Sequence, residues 1–120
     1  MSPEPAAGGF LPLKPMEFHI LLVLVERDVH GYALVKRLEE RLLGRKKILP
    51  GALYRTLNRM SDIGLIEESD WRPDATLDDE RRRYFRITKL GVEVARSEAE
   101  RMRSLVDESR SKDLLPSRRP

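Results

Sequence analysis

The sequence predicts a mainly α-helical fold with one small β-hairpin and a final helix behind it. Three observations carry this. Apolar residues recur at helical spacing in three successive segments of roughly a dozen residues, each opened or closed by Pro or Gly. Two strand-compatible stretches then flank a polar run. After Thr88 a narrow apolar stripe resumes at helical spacing.

The first helix is expected from about Pro15 to Arg27, because Pro suits a first helical position, where its missing N–H is no loss. Phe18, Leu21, Leu22 and Val25 form its expected buried stripe, and "ERDVHG" (Glu26–Gly31) breaks it. The second helix is expected from Gly31 or Tyr32 to Leu43, with Tyr32 or Ala33, Val35, Leu38 and Leu42 inward and Gly44 as a left-handed cap. Pro50 opens the third helix, which Gly64 ends after Ile63. Leu53, Leu57 and Met60 face its core side and leave Tyr54, Arg55, Asn58 and Arg59 outward. "GLIEESDW" (Gly64–Trp71) and "RRRYFRIT" (Arg81–Thr88) read as the two strands of a hairpin around "RPDATLDDE". Thr88 is a good N-cap for a last helix over about Lys89–Val106. The expected layout is a winged helix-turn-helix over residues 13–88 and a C-terminal dimerisation helix over 89–106. A flexible arm (1–12) and a disordered tail (107–120) flank them.

Within that last helix Leu90, Val94, Ala95, Ala99, Met102 and Val106 are the candidate dimer residues. Leu90 and Val94 also suit packing on the domain. The narrow stripe beyond them suits a partner helix. Its alternative is packing on the chain's own first helix.

The chain of 120 residues fits one domain, with 40% hydrophobic and 36% charged residues. It has no Cys, which removes disulfide frameworks and thiolate metal sites. His19 and His30 are its two histidines and make a poor metal set, so neither metal nor cofactor is expected. His30 suits a capping or interface role. The longest apolar run, Ile20–Val25, is too short to span a bilayer, and the N-terminus carries no secretory signature, so a cytoplasmic protein is expected.

Net charge is +3, but its distribution is uneven. From His30 to Met60, Lys36, Arg37, Arg41, Arg45, Lys46, Lys47, Arg55 and Arg59 face only Glu39 and Glu40. From Ser61 to Glu80 the acids dominate, and "RRRYFR" restores positive charge. Two basic segments brought to one face would make a footprint for a polyanion.

On such a face Arg55 and Asn58 suit base edges, Arg pairing with guanine and Asn with adenine. Arg59 suits a phosphate, or an ion pair with Asp62. Tyr54 suits a half-buried ring with its hydroxyl near a phosphate, against a purely structural role. Gly51 is small enough to let the helix start approach a phosphate, or is simply a turn residue. Arg82 or Arg83 suits the DNA backbone beside the wing, or the loop acids. Lys36, Lys46 and Lys47 suit phosphates, or only solvent. Tyr32 is expected in the core. Trp71 either packs the wing on the core or lines an effector pocket between wing and dimer helices.

Three segments together resemble the PadR family of winged-helix transcriptional regulators. They are "HGYALVKRLEER" (His30–Arg41), "LPGALYRTLNRMSDIGLIE" (Leu49–Glu67) and "RRRYFRITKLGVEV" (Arg81–Val94), in the family's order and spacing. The resemblance covers about Leu13 to Val106. It implies a homodimer joined through the C-terminal helix and a repressor role on double-stranded DNA; a small-molecule effector is a further partner that the sequence leaves open. The chain departs from the pattern in an acidic wing tip (Asp74, Asp78, Asp79, Glu80) and a short C-terminal part.

The expected function is therefore a sequence-specific DNA-binding regulator on a pseudo-palindromic operator. The competing reading is a winged helix that binds protein rather than DNA. No nucleophile–base pair or phosphate loop supports an enzyme.

Overall fold

A computed structural model of the protein describes residues 7–44, 47–69 and 83–116. A short 3-10 turn, Ala7–Phe10, precedes helix α1 (Pro15–Glu26), strand β1 (Val29–His30), helices α2 (Gly31–Arg41) and α3 (Pro50–Asp62), strands β2 (Ile66–Ser69) and β3 (Tyr84–Ile87), and helix α4 (Lys89–Ser111). The strands form an antiparallel sheet in the order β1-β3-β2. Three helices against a small sheet, with a last helix behind, make this a winged helix-turn-helix.

The core is one cluster. Ile20 and Leu21 of α1, Leu34 and Leu38 of α2, and Leu53, Leu57 and Met60 of α3 meet Leu65, Ile66, Phe85 and Val94, all essentially without exposure. Truncating such a side chain to Ala costs about 2–5 kcal/mol, so α3 is held by its core face while the other face is free to carry polar groups.

Local signals explain most element ends. Thr88 caps α4: its hydroxyl accepts from Gly91 N at 3.0 Å and donates to the carbonyl of Gly64 at 2.6 Å. His30 caps α2, Nδ1 accepting from Ala33 N at 3.1 Å. Gly64 takes a positive φ of 87° after α3, and Leu65 N donates to Met60 O at 2.9 Å.

The structure departs from expectation in several places. Helix α1 buries Ile20, Leu21, Val23 and Leu24, whereas Leu22 and Val25 face outward at 36% and 53% exposure. The helix is apolar nearly all round, so periodicity could not choose its face. Tyr32 is not core but 62% exposed, because Leu34, rather than Tyr32 or Ala33, completes the buried face of α2. β1 is a third strand where only a break was expected. Two residues are too few to show alternation, and their partners, Phe85 and Tyr84, lie far along the chain.

The ends also differ. Phe10 and Leu11 pack on the core and Leu13 is buried, so the arm is anchored over its described part, residues 7–12. Helix α4 runs on to Ser111, five residues past Val106, with i,i+3 and i,i+4 pairs along it: Arg103–Glu100, Arg110–Asp107 and Lys112–Glu108.

Glu98 explains the anchoring of the arm. It lies on the apolar stripe of α4 and has no solvent exposure. Its Oε2 accepts from Leu13 N at 3.0 Å, and Arg101 grips both oxygens at 2.6 and 3.0 Å. The hydrogen bonds from Arg101, with that from Leu13 N against the cost of burial, hold its carboxyl below the ordinary value near 4.5. A depressed carboxyl pKa adds stability above the ordinary value and loses it as pH falls through the folded-state value. Glu98→Gln is therefore expected to cost at least about 1 kcal/mol at neutral pH. Its gap to wild type in thermal melts should shrink steadily below pH 4.5.

Candidate nucleic-acid interface

The exposed arc of α3 presents Gly51, Arg55, Asn58, Arg59 and Asp62. It is fixed from beneath by Leu53, Leu57 and Met60, and from each flank by a long-range contact.

On one flank Arg59 pairs with Glu17 of α1, a side chain only 5% exposed. The other Glu17 oxygen accepts from Lys14 N at 2.9 Å, closing the first turn of α1. The sequence offered Asp62 as the ion partner. The buried Glu17 takes that place, reaching Arg59 from the first turn of α1. Arg59 remains about half-exposed, so its guanidinium is oriented and still reachable.

On the other flank Arg83 of β3 reaches α3. It donates to Asn58 Oδ1 at 3.3 Å and to Glu68 Oε1 of β2 at 2.7 Å, and its guanidinium lies over Tyr54 and Phe85. The two basic segments thus meet at this contact. Arg83 is nevertheless not a free wing cation, and its acid is on β2 rather than in the loop. Arg86 is likewise paired, with Glu67 at 2.8 Å, its direct partner in the ladder.

Other basic residues serve the fold. Arg37 approaches Glu26 at 3.8 Å, and Arg41 Nε donates to His19 Nδ1 at 3.2 Å. Burial, then the charge of Arg41, keeps the His19 pKa below its ordinary value. The basic run of the sequence therefore overstates the free cationic face. Among the described residues Arg55 is exposed and forms no ion pair, and Lys47 stands exposed beside Ala52 and Thr56 at the start of α3.

Tyr54 is half-buried, as expected, but its hydroxyl lies against Gly31 at the start of α2, where a Cβ would collide with it. Gly51 has open space around it, the nearest atom to an added Cβ being Arg55 Nη1 at 3.8 Å. Lys36 Nζ sits 5.7 Å from the centre of the exposed Tyr32 ring. Lys36 is a candidate from the sequence; the exposed Tyr32 beside it at the opening of α2 is a candidate residue the sequence reading missed. Its i,i+4 spacing to Lys36 and its position just outside the Leu34–Leu38 stripe were the available signal.

Lys46, Trp71, Arg82 and the acidic wing tip lie outside the described residues. Val94 and Ala95 are buried inside the chain, and Leu90 packs against the same core, so the first half of the α4 stripe serves the domain itself. Ala99 and Val106 are exposed and Met102 half-exposed. Leu105, 49% exposed, follows Met102 by three positions and adjoins Val106 on α4; Leu114 and Leu115, past the end of the helix, are exposed as well.

Among the described residues no group of His, Asp and Glu could hold a metal ion, and no helix is long and apolar enough to cross a membrane.

The chain matches the family model "Transcriptional regulator PadR-like family" over residues 20–97. Among solved structures, a transcriptional regulator from Clostridium thermocellum aligns over 81% of this chain and 87% of its own, with 26% identity and a TM-score of 0.62. A PadR-like transcriptional regulator from Bacillus cereus aligns over 85% and 93%, at 24% identity and a TM-score of 0.65. RosR from H. salinarum aligns over 88% and 96%, at 23% identity and 0.65, and like the second shares the fold. No curated protein matches. The family match spans the α3 arc and its Asn58–Arg83–Glu68 flank, and on it the chain belongs to the PadR-like family of transcriptional regulators.

Proposed function

We propose that the protein is a sequence-specific DNA-binding repressor that acts as a homodimer on a pseudo-palindromic operator. One α3 helix per subunit enters the major groove. The observation that carries this reading is the α3 arc: Arg55, Asn58 and Arg59 exposed on a helix pinned by Leu53, Leu57 and Met60 and braced by Glu17 and Arg83. An outward polar face held this rigidly suits a groove whose base edges sit at fixed positions. Arg55 and Asn58 read bases. Arg59 and Lys47 bind phosphates, and so does the α2 opening with Tyr32 and Lys36.

The dimer rests on α4. Its stripe is buried as far as Glu98 and continues past the domain as Met102, Leu105 and Val106, with Leu22 and Val25 of α1 also uncovered. Exposed apolar residues in a row on a projecting helix call for a partner. Cutting the chain after Thr88 would not test this, since it removes Val94, Ala95 and Glu98 from the core. Leu105→Glu with Val106→Glu leaves the core intact. Sedimentation of that variant is expected to give folded monomers whose operator affinity falls about tenfold or more, because each half-site then binds without the other. A folded variant that stays dimeric would disprove the α4 seam.

A further inference from the structure

Asn58 lies on α3, Arg83 on β3 and Glu68 on β2, and the three form one contact. Arg83 Nε donates to Glu68 Oε1 at 2.7 Å, its Nη2 approaches the same oxygen at 2.6 Å, and Nη2 also donates to Asn58 Oδ1 at 3.3 Å. The guanidinium carbon lies 5.1 Å from the Phe85 ring centre and 5.8 Å from that of Tyr54. Phe85 is fully buried and is the ladder partner of Glu68, so the floor and one wall of this bracket belong to the sheet itself.

A guanidinium carries only donors, so the end of the Asn58 amide turned towards the wing is its oxygen. An Asn that reads adenine accepts from N6 through the oxygen and donates to N7 through the amide NH2. The oxygen has a second lone pair, and a bond from Arg83 leaves it able to accept from a base. A free amide flips to suit either order of donor and acceptor along the groove. One anchored by Arg83 suits one order only.

We propose that Arg83 fixes the polarity of the Asn58 amide, with Glu68 as the positioning residue that holds Arg83 in place. A base preference read by α3 is thus set from the wing strands. This rests on α3 being the base-reading helix. It assigns Arg83 to specificity rather than to the phosphate backbone, consistent with Glu68 neutralising it.

Selection from a random double-stranded DNA library with the full chain tests this, using wild type, Arg83→Met and Glu68→Gln. Met keeps an apolar stem over Phe85. Glu68 is 55% exposed, so its Gln variant keeps the fold even if the first does not. Wild type is expected to favour adenine at one half-site position by about ten- to a hundredfold. Both variants are expected to lose that preference at that position alone, with the rest of the motif and the salt dependence kept. An unchanged motif would overturn the assignment. So would a uniform loss of affinity in Arg83→Met with a shallower salt slope, the mark of a lost phosphate contact. If wild type selects no motif at all, the reading of α3 fails first and this inference falls with it.

Discussion

Gly91→Ala is expected to destabilise the protein by about 3 kcal/mol or more, the upper end of what overpacking costs, and to lower its Tm by about 10 °C or more. Gly91 is buried in the first turn of α4, where that helix crosses the junction between α3 and β2. An added Cβ would fall inside the contact shell of the Leu65 carbonyl oxygen and 2.7 Å from Ile87 Cγ1. That carbonyl cannot step aside, because it accepts from Thr88 N at 3.1 Å and packs 3.0 Å from the Thr88 hydroxyl oxygen, which donates to the neighbouring Gly64 carbonyl. The clash is with backbone, so the helix start or the strand entry must move, and the Thr88 cap goes with it. Gly31 supplies the contrast. A Cβ there meets the end of the Tyr54 side chain, which can swing outward, so Gly31→Ala costs less stability. Thermal melts of the two variants side by side check the order.

Arg55→Ala is expected to weaken binding to the selected site by about ten- to a hundredfold, the worth of a good base contact, while leaving Tm within about 1–2 °C of wild type. The side chain is exposed and makes no ion pair among the described residues, so its removal costs the fold almost nothing. Lys47→Ala should behave differently. It is expected to weaken specific and non-specific sites alike and to make the salt slope shallower by about 0.9. If Arg55→Ala binds as well as wild type, the helix face does not read bases, and the protein-binding use of a winged helix becomes the better account.

Much of the fold was legible where one residue type has one strong local meaning. Pro50 opened α3, Thr88 capped α4, Gly64 ended α3 with a positive φ, and Leu53, Leu57 and Met60 marked the buried face of a helix whose other side is polar. Where local pattern is silent, the reading failed. In α1 nearly every position is apolar, so no face stands out, and Leu22 and Val25 turned outward. In β1 two residues form a strand only because β3 is there to pair with them.

The candidate site shows the same division. The α3 arc could be read from periodicity. What holds it could not, because Glu17–Arg59 and Asn58–Arg83 join residues far apart in the chain. Charge left Arg83 between the DNA backbone and the loop acids, and the folding of β3 beside β2 gave it Glu68 instead. By sequence Glu98 is one of several acids on α4. Only the return of the N-terminal segment, which brings Leu13 N to its carboxylate, explains a buried acid on that helix.

The central claim is that α3 with its flanking supports forms a DNA-binding face. Titration of wild-type protein onto a duplex of its selected site, over a series of salt concentrations, tests it most directly. Log affinity is expected to fall linearly with log salt at about −0.9 per phosphate neutralised, with a slope of several units. A salt-independent affinity, or no measurable binding to any duplex at low salt, would contradict the account.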